Sequence, residues 1–104
     1  MDDATATMAP APPQHMQALR RANEVRLARA ELKRQVAEGV VTVDEVVLTC
    51  PWEAASMTIA ELLSSQRRWG TTRCSKFLAE IGMAETKTVG SMTERQRTVL
   101  AAFI

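Results

Sequence analysis

At 104 residues and 46% hydrophobic content, the chain can bury one modest core and has no room for a second. Tyr is absent and Phe and Trp occur twice each, whereas Ala, Leu, Glu, Arg, Met and Gln are plentiful and lose little entropy in a helix, so the composition predicts an all-α fold. The net charge of +1 excludes a uniformly basic polyanion binder, and any such surface has to come from local clusters.

Residues 1–13, with Asp2, Asp3, Pro10, Pro12 and Pro13, can bury little and are expected to form a disordered tail. From 14 to 38 there is no Pro or Gly, and Ala18, Ala22, Val25, Arg29, Leu32 and Val36 recur at spacings of four, three, four, three and four. That period predicts one long amphipathic helix, closed by Gly39. Arg20, Arg21, Arg26, Arg29, Lys33 and Arg34, against Glu24 and Glu31, make the helix basic. Arg26, Arg29 and Lys33 form a stripe beside the apolar one.

Residues 35–66 contain no Lys or Arg and carry Glu38, Asp44, Glu45, Glu53 and Glu61; Arg67, Arg68, Arg73 and Lys76 then follow within ten residues. Three helix starts carry a hydroxyl followed three residues later by Glu or Gln: Thr42 with Glu45, Thr58 with Glu61, and Thr93 with Gln96. They predict helices over 43–48, stopped by Pro51, over 59–65, and over 94–103. A further helix is predicted from Thr71 or Thr72 to Ile81, ended by Gly82, and no strand is expected. The expected organisation is a tail over 1–13, a long basic helix over 14–39 and a compact helical domain over 40–104.

Segment 62–78 reads as helix, tight turn at Trp69-Gly70, helix. The start of the second helix presents unpaired backbone N–H groups and hydroxyls, where the helix dipole also favours a phosphate. Arg67, Arg68, Arg73 and Lys76 would surround that anion with positive charge.

Residues 19–103 resemble the actinobacterial integration host factor family, which is unrelated in fold to the β-armed integration host factors of enteric bacteria. The resemblance rests on Arg29-Ala30-Glu31-Leu32-Lys33, on Leu62-Leu63 with Trp69-Gly70-Thr71-Thr72-Arg73, and on Glu94-Arg95-Gln96-Arg97, in that order and spacing. It implies a helix-two-turns-helix module gripping the DNA backbone through Arg67, Arg68, Gly70, Thr71, Thr72, Arg73, Ser75 and Lys76. The long helix, through Arg20, Arg21, Arg26, Arg29 and Lys33, is implied as a second basic element. The loop before the last helix departs from the family, whose arginine cluster and Gly-Leu-Gly are replaced by Thr86-Lys87-Thr88-Val89-Gly90-Ser91-Met92-Thr93. Lys87 and Thr88 are the contacts expected there, Glu85 lowers the local charge further, and this half of the grip should be weaker. Such divergence fits a copy carried by a phage or another mobile element.

Several residues admit two readings. A basic helix stripe can be a solvated face, and Trp69 can be a wedge between bases or a core side chain, the reading favoured here. Arg95 and Arg97 oppose the dipole of the last helix, which a bound anion or an ion pair with Glu94 or a neighbour would explain. Cys50, Cys74 and His15 cannot complete a zinc site, and no activated nucleophile or paired carboxylate emerges, so neither metal, cofactor nor enzymatic activity is expected. With no signal peptide or long apolar run, the chain is expected in the cytoplasm with reduced thiols.

The sequence therefore points to a nucleoid-associated architectural protein that binds duplex DNA with little base readout, bends or compacts it, and supports site-specific recombination beside a recombinase. The alternative is an RNA-binding or protein-interaction module built from the same helices.

Overall fold

The computed structural model describes residues 14–104, and the tail expected over 1–13 lies outside them. The described elements are α1 (Gln14–Glu38), α2 (Val43–Thr49), α3 (Ile59–Ser64), α4 (Thr71–Ile81), a 3-10 turn (Val89–Ser91) and α5 (Glu94–Phe103). All are helical, as composition and periodicity predict.

Each of the three hydroxyl-marked starts is made by its predicted cap. Thr42 and Thr58 accept the backbone N–H of Glu45 and Glu61 at 3.4 and 3.1 Å. Thr93 and Gln96 close a full capping box, with bonds of 3.1 and 2.9 Å. Gly39 and Gly82 take the left-handed conformation that ends α1 and α4, at φ of 79° and 72°, which a residue without a Cβ adopts at little cost. Helix α2 ends differently from the expected simple stop at Pro51. Cys50 itself turns left-handed (φ 44°) and donates its N–H to the Val46 carbonyl at 2.8 Å.

The core is aliphatic. Val43, Val46 and Val47 of α2, Ala54 and Met57 of the following turn, Ile59, Leu62 and Leu63 of α3, Leu78 of α4 and Leu100 of α5 are buried, with α2 packed on α5 and α3 on α4. Burying each larger side chain contributes about 1.5–3 kcal/mol. Helix α1 adds Leu32 and Val36 near its C-terminal end, while Ala18 and Ala22 of the predicted apolar stripe are exposed and Val25 is half-buried. The stripe has the right period but docks over its last turns only, so the first half of α1 stands off the core as an arm.

The segment between α4 and α5 is strapped onto the approach to α3. Ile59 and Ala60 donate backbone N–H groups to the carbonyls of Lys87 and Glu85 at 2.7 and 3.3 Å, and Val89 and Gly90 donate to Met57 and Ala55 at 2.9 and 2.8 Å. One isolated β-bridge, Thr58 with Thr88, results, and the described residues hold no strand. Gly90 is required by this contact, because a Cβ there would lie 2.8 Å from the Ala55 carbonyl oxygen.

Candidate nucleic-acid interface

The turn entering α4 is built from exposed cations. Arg67 and Arg68 are exposed in it, and Arg68 is the left-handed residue, at φ 68°. This corrects the expectation of a tight turn centred on Trp69-Gly70, since Gly70 is extended (φ −80°, ψ 176°) and serves as the N-cap of α4. Having no side chain, Gly70 makes no cap bond, so the N–H groups of Thr71, Thr72 and Arg73 have neither an intrahelical nor a side-chain acceptor.

Thr71 and Thr72 are exposed beside those donors, as are Arg73 and, one turn on, Lys76. No acidic residue stands in this first turn, and the open donors, hydroxyls and cations together suit an anion. Arg73 is held in place by Trp69, with its guanidinium carbon 4.2 Å from the ring centroid. Trp69 meets Phe77 edge-on at 5.5 Å and packs half-buried against the core, as favoured from the sequence.

Ser75, the other implied contact on α4, instead donates to the Glu85 carboxylate at 3.0 Å. That bond ties α4 to the strapped segment and sets a negative charge on the cationic end. Glu85 and burial also raise the pKa of the neighbouring Cys74 thiol, burial contributing most. Lys87 is half-buried, and the Thr88 hydroxyl donates to Ser91 at 2.8 Å.

The basic residues of α1 divide into two groups. Arg29 donates to the Ser56 hydroxyl at 2.5 Å, and its Nε is buried with no partner. Lys33 pairs with Glu61 of α3 at 2.5 Å. Arg34 is clasped by Glu31 and Glu38 on its own helix, which raises its pKa and lowers that of Glu31. Arg20, Arg21 and Arg26 remain exposed on the arm, Arg26 with a long contact of 3.4 Å to Asn23. The predicted stripe of Arg26, Arg29 and Lys33 thus shares a face, yet two of its members brace α1 against the body.

Of the two arginines opening α5, Arg97 forms no ion pair among the described residues. It donates to the Val47 carbonyl at 2.7 Å, filling one of the acceptors left open at the end of α2. Arg95 is exposed. The two thiols, Cys50 and Cys74, are free, and no described helix is long and apolar enough to cross a membrane.

No protein-family model and no curated protein matches the sequence. The fold is similar to a solved structure of sIHF bound to an 8-base-pair palindromic DNA, with a TM-score of 0.74 and 22% identity over 80% of this chain and 96% of that one.

Proposed function

We propose that the protein binds duplex DNA through its phosphates, using the start of α4 as one contact and the arm of α1 as another. The observation that carries this reading is the uncapped N-terminus of α4, where open backbone donors, the hydroxyls of Thr71 and Thr72 and the cations Arg73 and Lys76 converge. The likeness in fold to a protein solved on DNA favours duplex DNA as the source of the phosphates. Arg67 and Arg68 extend the contact, Lys87 and Thr88 support it weakly, and Arg29, Lys33 and Ser75 act by bracing.

Such contacts position a protein on DNA without reading its bases. The role that follows is architectural, a nucleoid-associated protein that bends or compacts DNA and serves site-specific recombination alongside a recombinase. No chemistry is assigned to it. The test is a gel-shift series on the wild type and on the double variant Arg73→Ala, Lys76→Ala, with duplex RNA as competitor. The variant should bind duplex DNA at least about tenfold more weakly, as loss of two charge-assisted contacts implies, with a native circular-dichroism spectrum. Undiminished affinity would move the interface away from α4, and preferential displacement by duplex RNA would favour the RNA-binding alternative.

A further inference from the structure

Three of the chain's four aromatic side chains meet at one groove. It runs between α4 and the end of α5, has a volume of about 560 Å³, and is lined by Trp69, Arg73, Lys76, Phe77, Glu80 and Phe103. Aromatic residues make up only 4% of the sequence, none is fully buried among the described residues, and although Trp69 and Phe77 pack against the edge of the core, that packing does not account for Phe103 beside them. Trp69 and Phe77 are half-buried, but Phe103 is 70% exposed.

We propose that this groove receives one unpaired nucleotide of a DNA strand, its base against Phe103 and the Trp69–Arg73 stack and its phosphate on Arg73 and Lys76. The inference rests on the DNA-binding reading above and narrows it to DNA offering an unstacked base, as at a frayed end, a gap or a junction. Every base presents an apolar π face, and both aromatic rings and arginine planes stack on such faces. Arg73 and Lys76, three residues apart on α4, share one helix face and supply the positive charge that a nucleotide needs and a neutral apolar peptide does not. Glu80, one turn beyond Lys76, sets a carboxylate in the same groove and repels a second phosphate, which limits occupancy to a single nucleotide.

The experiment compares a blunt duplex with the same duplex carrying a one-nucleotide or a five-nucleotide 3′ overhang. The proteins are the wild type, Phe103→Leu, which keeps apolar bulk without a ring, and Phe103→Trp, which restores one. Stacking of a base on an aromatic side chain is worth roughly fivefold to a hundredfold in affinity. The wild type should therefore prefer the one-nucleotide overhang over the blunt duplex by about tenfold, the longer overhang adding little. Phe103→Leu should lose that preference and Phe103→Trp should keep it. In a Trp52→Phe background, the overhang should quench the emission of Trp69 and the blunt duplex should not.

Equal wild-type affinity for blunt and overhanging duplexes, or a preference that survives in Phe103→Leu, overturns the groove assignment and leaves the duplex reading standing. Failure to bind any duplex overturns both. Quenching of Trp69 by an acidic peptide, with no effect of the overhang, would assign the groove to a protein partner and overturn the proposal.

Discussion

Gly70 is extended, and a Cβ there would meet nothing within 4 Å, so neither backbone conformation nor crowding demands glycine. Its effect is to leave the first N–H groups of α4 open. An aspartate at this position would accept one of them and add negative charge where the dipole favours it. Gly70→Asp should thus stabilise the fold by a few tenths of a kcal/mol while weakening DNA binding by about tenfold or more, as an occupied anion site implies. Urea unfolding and a binding titration on one sample check both signs, and a variant that bound DNA as well as the wild type would show that these donors are not used. Arg97 carries a purely structural expectation. Arg97→Leu leaves the buried Val47 carbonyl without its donor, which should cost about 1–3 kcal/mol in urea unfolding and leave the DNA interface in place. No sequence signal marks this role, because donor and acceptor are 50 residues apart. Arg34 is the contrast, since Glu31 and Glu38 lie three and four residues away on the same helix, within reach of a rule applicable to the sequence alone.

Among the elements, the helices and their ends were legible because caps, left-handed glycines and apolar periods act within a few residues. The three Thr caps, Gly39 and Gly82 all fall where local chemistry sets them. What periodicity could not convey is where α1 leaves the core, since Ala18 and Leu32 satisfy the same spacing and only tertiary packing distinguishes them. Nor could it separate the bracing cations from the exposed ones, because Ser56 and Glu61, which hold Arg29 and Lys33, belong to other segments. That division defines a sharper experiment on α1. Replacing Arg20, Arg21 and Arg26 with Gln removes exposed charge and keeps good helix propensity, while Arg29 and Lys33 stay to hold the arm. The triple variant should unfold at the wild-type urea midpoint, retain weak DNA binding and lose bending, read by end-to-end fluorescence transfer on a short duplex. Full bending by this variant would reduce the arm to a solvated strut.

For the whole molecule, a net charge of +1 conceals two exposed cationic regions joined by a scaffold that neutralises its own bases. A helix of 25 residues is about 37 Å long, so the arm and the turn before α4 can reach different stretches of one duplex. Their contacts are cations and backbone donors directed at phosphates, and each neutralised phosphate releases about 0.9 counterion from B-DNA. Affinity should accordingly fall steeply with salt and change little when the duplex sequence is scrambled at constant length. The slope also reports whether both regions engage at once. If they do, the arm variant should flatten the log–log salt dependence by up to about 2.7, from three arginines at roughly 0.9 each, and Arg73→Ala with Lys76→Ala by up to about 1.8 on the same scale. Combining all five substitutions should give the sum of the two reductions. If the regions instead compete for a single stretch of backbone, removing either lets the other take its place, and each partial variant should keep a slope close to that of the wild type.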